Sequence, residues 1–152
     1  LGRVGGAMAL AFSALGSGIG IGAAGMAAVG AWKKCFAQNK AAPFVLVTFI
    51  GAPLSQTIYG MILMNQIAAK CSELGQTPEQ LAVAVSNWAG MIGIGCFGGI
   101  AMGMSAWFQG RIGAAASDAM AETGKGFGNY LMALGIIETV ALFVMVFIGG
   151  LV

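Results

Sequence analysis

The chain has 152 residues, of which 59% are hydrophobic, 8% are charged and 26 are glycine, and it has no histidine. Soluble domains carry about 25% charged residues, so this composition excludes an ordinary soluble domain and favours an integral membrane protein. The net charge of +2 is too small for a nucleic-acid-binding surface. Three widely separated cysteines predict neither a disulfide framework nor a zinc site.

Long, almost uncharged stretches divide the chain into four candidate membrane spans. Each is longer than the roughly 20 residues that a helix needs to cross a bilayer. Backbone amides in lipid must be paired within their own segment, so we expect helices. The predicted spans are residues 4–32, 43–69, 80–117 and 127–152. The predicted fold is therefore an all-α membrane protein of two helical hairpins, 1–69 and 80–152, joined by an external loop at 70–79.

Positive charge is concentrated near the two loops inside the hairpins. The predicted loops near 33–42 and 118–126, together with Arg111, hold five lysines and arginines, whereas Arg3 and Lys70 are the two on the other side. The positive-inside rule therefore predicts that both hairpin loops are cytoplasmic and both termini external. Because the sequence begins at a leucine and not at an initiator methionine, we expect further residues before it.

Glycine is concentrated in the first and third spans. Four-residue spacing places small residues on one helix face and lets neighbouring backbones approach closely. The glycine pairs with this spacing are Gly16 and Gly20, Gly18 and Gly22, Gly95 and Gly99, and Gly99 and Gly103. Ordinary packing within a bundle would explain the spacing, but the alternation of glycine-rich and bulky spans also repeats, which indicates a duplicated hairpin. At an offset of 84 residues Leu54 aligns with Glu138, so only the second half has a carboxylate at this position.

Glu138 is the single ionisable residue deep in a predicted span. An unpaired charge at that depth is costly, and such residues are by default functional. The alternative is a protonated structural glutamate that is hydrogen-bonded to a neighbouring helix. Gln109 lies at the same depth if the second hairpin turns between Thr123 and Gly124, within a glycine-containing turn signal.

The first hairpin has polar residues at the matching depth. If it turns near Gln38 and Asn39, then Ser55 and Gln56 lie about as deep as Glu138. The preceding Pro53 interrupts the helical hydrogen bonding, and Tyr59 lies one turn beyond Ser55, within reach of a carboxylate. Oxygen-rich clusters suit hard cations. An interhelical polar clamp is the alternative.

This pattern resembles the proteolipid rotor-ring subunit (K or c subunit) of V-type and A-type ATPases, in its duplicated four-helix form. The matching residues are Gly16-Ser17-Gly18-Ile19-Gly20, Pro53-Leu54-Ser55-Gln56 with Tyr59-Gly60, Gln109-Gly110-Arg111, and Glu138-Thr139. The resemblance implies a membrane ring of identical subunits, each carrying ions on the helix-four glutamate past a positively charged stator subunit. It also implies contact with central-stalk subunits at the cytoplasmic loops. The chain itself is then not an enzyme, because ATP is hydrolysed or made on other subunits.

Sodium-transporting members of this family have further ligands, and the resemblance assigns these roles to residues of this chain. They are Gln56, Ser55, Gln109 and the backbone carbonyl of Ala52 as sodium ligands with Glu138, and Tyr59 as a hydrogen-bond donor to Glu138. Ser55 stands where threonine is usual, which retains the oxygen. The implied cargo is Na⁺, with H⁺ as the alternative, and no other cofactor is expected.

Two other classes of membrane protein remain as alternatives. A small four-helix, proton-coupled exporter would also have one membrane glutamate, and a structural tetraspan scaffold would have the same number of spans. Neither explains a duplicated hairpin with one mid-depth carboxylate. A prokaryotic plasma membrane is the expected location of a sodium-carrying ring.

Overall fold

The structure, a computed structural model, describes residues 1–74 and 76–152. All regular secondary structure within these residues is helical, and there is no strand. The helices are α1 (Gly2–Ala37), α2 (Leu46–Gly51), α3 (Ser55–Glu73), α4 (Pro78–Thr123) and α5 (Phe127–Gly149), and a short 3₁₀ segment, Ala52–Leu54, joins α2 to α3. Because α2, the 3₁₀ segment and α3 run on as one rod, the described residues contain four segments long and apolar enough to cross a membrane. The predicted all-α, four-span membrane fold is confirmed.

Two helices extend well beyond the apolar stretches that predict them. The first continues to Ala37 and the third to Thr123, so most of the predicted loop at 118–126 is helical. At about 1.5 Å per residue, the 46 residues of α4 span roughly 69 Å, more than twice the hydrocarbon thickness of about 30 Å. Charged side chains mark where a helix leaves the apolar layer and not where its hydrogen bonding ends.

Left-handed backbone conformations end the two long helices. Asn39 has φ of 51°, and Gly124, directly after α4, has φ of 65°. The Gly124 amide donates to the carbonyl of Met120 at 2.9 Å and so closes the last turn. The start of α4 is also defined by its sequence, because the Thr77 hydroxyl accepts from the Gln80 amide at 3.2 Å.

The helices α1 and α4 lie side by side and run in parallel, and glycines form their contact. A Cβ on Gly16 would stand 2.0 Å from the carbonyl oxygen of Gly103, and one on Gly110 would stand 2.2 Å from the Cα of Gly20. No side chain fits at such distances, so these positions require glycine. By contrast, a Cβ on Gly18 or Gly22 would have no neighbour within 4 Å. Of the two glycine pairs predicted in α1, one therefore forms a helix contact inside the bundle and the other does not.

The bulkier helices complete a four-rod bundle. Both α3 and α4 contact α1 and α5, and they also contact each other. The Ser105 hydroxyl on α4 donates to the Ile137 carbonyl on α5 at 2.7 Å. On the other side, a Cβ on Gly20 of α1 would stand 3.0 Å from the Cβ of Pro53. Because α5 contacts both α3 and α4, its middle part, which includes Ile137, lies at the junction of these two helices.

Both hairpin loops lie at the same end of the bundle. Lys34, near the end of α1, forms an ion pair with Glu122, near the end of α4. The indole nitrogen of Trp32 donates to the carbonyl of Pro43 at 2.9 Å and fastens the first loop to α1. This arrangement fits two loops on one side of a membrane, and the assignment of that side to the cytoplasm stays a prediction.

Candidate ion-binding site

Glu138 is the centre of the candidate site. It is half-buried and lies in the middle of α5, with eleven residues of the helix on either side. The Tyr59 hydroxyl donates to its Oε1 at 3.0 Å, and the Gln109 amide nitrogen donates to its Oε2 at 3.4 Å. Both carboxylate oxygens therefore have a neutral donor, one from α3 and one from α4.

Two fully buried glutamines connect the helices behind the carboxylate. The Gln109 Nε2 donates to the Leu134 carbonyl at 3.0 Å, and the Gln56 Nε2 donates to the Gln109 Oε1 at 2.8 Å. A backbone carbonyl only accepts hydrogen bonds, so the Gln109 nitrogen must face Leu134 and its oxygen must face Gln56. The Gln56 nitrogen then faces Gln109, and its oxygen points the other way, towards Ser55.

Three oxygens lie together on the α3 side of the site. The Ser55 Oγ lies 3.2 Å from the carbonyl oxygen of Ala52 and 3.2 Å from the Gln56 Oε1. A hydroxyl has one hydrogen, which cannot fully satisfy two acceptors at once. The cluster therefore has more acceptor oxygens than donors on this side, which is an arrangement suited to a cation.

The local backbone places these oxygens. Pro53 is buried within the 3₁₀ segment, and its missing amide leaves the carbonyl of Phe49 without the usual helical donor. On α4, a Cβ on Gly113 would stand 2.8 Å from that Phe49 oxygen, so only glycine allows α4 to pack against the interrupted part of the helix. The interruption of the helix thus lies at a close contact with α4.

The structure brings together every residue that the sequence proposes for the site. Glu138, Gln109, Gln56 and Tyr59 are directly linked by hydrogen bonds, and Ser55 joins this network through Gln56. The Ala52 carbonyl is contacted by the Ser55 hydroxyl. These contacts locate the side chains, and the role of each as an ion ligand remains a proposal.

Two backbone acceptors on α5 were not predicted from the sequence. The carbonyl of Leu134 accepts from Gln109, and that of Ile137 accepts from Ser105. A buried amide group has two N–H donors that both need acceptors, so a search for partners of Gln109 at the depth of Glu138 could have found the first.

Arg111 is a charged residue of α4 that lies within the predicted third span. Its guanidinium lies 5.7 Å from the centre of the Phe108 ring, and the side chain is exposed in the single chain. Between Arg111 and Glu138 there is no ion pair. The carboxylate therefore has no internal cation in the described part of the chain.

A comparison with known protein families matches the second hairpin. Residues 92–148 match the family model of the ATP synthase C subunit. This region takes in most of α4 and nearly all of α5, including Gln109 and Glu138, but it is less than half of the chain. No curated protein sequence matches the chain. The similarity thus covers the helices that carry the carboxylate and one of the two glutamines.

Proposed function

We propose that the chain is the membrane rotor-ring subunit of a V-type or A-type rotary ATPase and that it carries Na⁺ across the membrane on Glu138. The observation that carries the proposal is the carboxylate at the centre of α5, held by two neutral donors beside the oxygen-rich group of Ala52, Ser55 and Gln56. The similarity of residues 92–148 to the ATP synthase C subunit supports the same assignment. On this proposal the chain has no catalytic site, and ATP chemistry takes place on other subunits.

The charge of the cluster favours a singly charged cargo. Glu138 is its single formal charge, since the other side chains are amides and hydroxyls. A lone carboxylate at this depth is costly and is neutralised by a proton or by one monovalent cation. The residues described, 1–74 and 76–152, contain no group of three His, Cys, Asp or Glu side chains that could hold a metal ion. A divalent ion would leave this site with an excess positive charge.

The spacing of the oxygens fits a sodium-sized ion. Na⁺ is close in size to Ca²⁺, whose oxygen ligands lie about 2.3–2.6 Å away, and neighbouring ligands at right angles would then lie roughly 3.3–3.7 Å apart. The Ser55 hydroxyl lies 3.2 Å from both the Ala52 carbonyl and the Gln56 amide oxygen, slightly less than the lower end of that range. A small movement would open the group around a cation. A proton would need only one of these oxygens.

The proposed transport cycle depends on neutralisation of Glu138. With the ion bound, the site has no net charge in the apolar layer and can face lipid. Opposite the stator, a positive charge competes for the carboxylate and displaces the ion. Rotation of the ring then couples ion flow to ATP hydrolysis or synthesis through the central stalk, which contacts the loops near Lys34 and Glu122. We place this ring in a prokaryotic plasma membrane.

The proposal is tested by carbodiimide labelling of Glu138 in the detergent-solubilised protein. Carbodiimides attack a protonated carboxyl, so bound sodium should slow the labelling at a fixed pH, whereas equal potassium should not. The Glu138→Gln variant identifies the labelled position, and labelling of the exposed Glu79 at the start of α4 serves as an internal control. Labelling that depends on pH alone and is insensitive to sodium would contradict the sodium assignment and favour the proton-carrying ring.

A further inference from the structure

One buried polar atom in the bundle has no partner although it lies close to the site in the fold. The Ser17 hydroxyl on α1 is buried and makes no hydrogen bond to any described residue. The other buried serines all have an acceptor: Ser13 donates to Ala9 at 2.8 Å and Ser117 to Gly113 at 2.9 Å within their own helices, and Ser105 donates to Ile137 on α5. A buried hydroxyl without a partner loses its hydrogen bonds to water and gains none in return, so such an atom needs a physical explanation.

The packing of α1 against α3 places Ser17 opposite Gln56. One turn before Ser17, the Ser13 hydroxyl occupies the position that a Cβ of Gly60 would need, at a separation of 1.8 Å. One turn after it, a Cβ on Gly20 would stand 3.0 Å from the Cβ of Pro53. The two helices are antiparallel, and residues three and four apart share a helix face. Ser17 lies between the two contacts on α1, as Gln56 does on α3.

Gln56 has an unused donor. Its amide nitrogen has two hydrogens, and one of them is donated to the Gln109 Oε1 at 2.8 Å. The described residues supply no acceptor for the second, although Gln56 is fully buried. A buried acceptor without a donor and a buried donor hydrogen without an acceptor therefore lie at corresponding positions on α1 and α3.

We propose that the Ser17 hydroxyl accepts the second amide hydrogen of Gln56 when the site holds its ion, which makes Ser17 a positioning residue for the sodium site. This inference rests on the proposed function above. The bond would fix the Gln56 nitrogen towards the interior of the bundle and hence its oxygen towards Ser55 and the ion. The site would then be built by all four membrane-spanning segments, with α1 contributing through Gln56.

This role predicts a separation between sodium binding and proton binding. No hydrogen bond joins Gln56 to Glu138, whose donors are Tyr59 and Gln109. Loss of the Ser17 hydroxyl should therefore weaken the hold on sodium and leave the protonation of Glu138 as it was. General damage to the packing of α1 would disturb both.

The test compares Ser17→Ala with Ser13→Ala in the assembled, detergent-solubilised protein. Each variant loses one buried hydroxyl from the same face of α1, but the Ser13 hydroxyl already donates to its own helix. We expect Ser17→Ala to raise the sodium concentration for half-protection of Glu138 from carbodiimide about tenfold, the equivalent of one lost hydrogen bond. Ser13→Ala should change it less than about twofold. The pH dependence of labelling without sodium should be the same for both variants and the unaltered protein.

The outcomes separate this inference from the proposed function. If the unaltered protein is protected by sodium and Ser17→Ala is protected equally well, Ser17 has no positioning role and the sodium site stands. If sodium protects none of the proteins, the proposed cargo is wrong. A density map of the assembled protein in sodium then decides the contact itself: a Ser17 Oγ within about 3.2 Å of the Gln56 Nε2 supports it. A separation beyond hydrogen-bonding distance overturns it.

Discussion

The carboxylate of Glu138 depends on two donors from different helices, and Tyr59 is the simpler one to remove. Its hydroxyl donates to the Glu138 Oε1 at 3.0 Å, and that bond holds the carboxylate against α3. The sequence predicts this contact from spacing alone, because Tyr59 lies one helical turn beyond Ser55 and thus within reach of Glu138. The length of the tyrosine side chain makes the contact possible, whereas the rotation of α5 about its axis decides whether the Glu138 carboxylate faces the hydroxyl.

Tyr59→Phe should weaken sodium binding about tenfold, because a hydrogen bond to a charged group contributes about 1.5–3 kcal/mol and the lower end of this range corresponds to a tenfold change in affinity. The measurement is the sodium concentration that half-protects Glu138 from carbodiimide. Tyr130→Phe is the matched control, since Tyr130 packs edge-on against Phe49 with ring centres 6.2 Å apart. Equal effects of the two substitutions would show that the Tyr59 hydroxyl does not hold the carboxylate.

At the scale of elements, the contact between α1 and α4 determines where the site lies. Glycines let the two backbones touch, and this close approach carries Gln109 on α4 towards Gln56 on α3. Four-residue glycine spacing in the sequence indicates such contacts but does not identify the partner helix. Gly16 and Gly20 contact α4, whereas the equally spaced Gly18 and Gly22 face open space in the single chain. Only the packed structure distinguishes the two pairs.

Gly16→Ala should destabilise the bundle by about 1–3 kcal/mol, the usual cost of inserting a methyl group into a filled interior. The added Cβ would stand 2.0 Å from the Gly103 carbonyl oxygen, so the helices must separate. Thermal unfolding in detergent is the measurement. Gly30→Ala on the same helix is the control: nothing lies within 4 Å of its added Cβ, and alanine favours a helix by up to about 1 kcal/mol over glycine. A Gly16→Ala protein as stable as the Gly30→Ala protein would show that the close contact is absent.

At the scale of the whole molecule, the helices are unequally covered. In the most apolar stretch of α5, 11% of the residues are buried within the single chain, compared with 39% in α1 and 44% in α4. The exposed surface of α5 includes Ile136, Val140, Phe143 and Phe147. An apolar face of this extent on a membrane helix contacts lipid or a neighbouring protein. In the proposed ring α5 is the outer helix, and Glu138 passes the stator on this side.

Native mass spectrometry should therefore find a closed oligomer of many copies of the 15.3 kDa chain. The physical reason is that a head-to-tail contact repeated around an axis closes into a ring, in which every Glu138 has the same surroundings. Cryo-electron microscopy of the same sample gives the symmetry. A particle of two copies would contradict the ring and favour the small proton-coupled exporter.

The class of the protein and the relative depth of its polar residues follow from the amino-acid sequence. Hydropathy is a local property, so the four spans and the isolated Glu138 could be identified without any packing. Counting residues from the hairpin turns was sufficient to bring Gln109, Gln56 and Ser55 to about the same level, since each helix rises by a fixed distance per residue. The helix ends were less predictable, because α1 and α4 continue beyond the charges that end their apolar stretches.

Which atoms meet depends on how the helices pack against one another. The bonds from Gln109 to the Leu134 carbonyl and from Ser105 to the Ile137 carbonyl depend on the rotation of α5 about its axis, which residue spacing does not fix. The burial of the Ser17 hydroxyl without a hydrogen-bond partner likewise follows from the packing of α1 against α3 and not from the sequence. Hydrogen bonds are directional and act over about 3 Å, so they follow from the final placement of the helices and not from the order of residues along them.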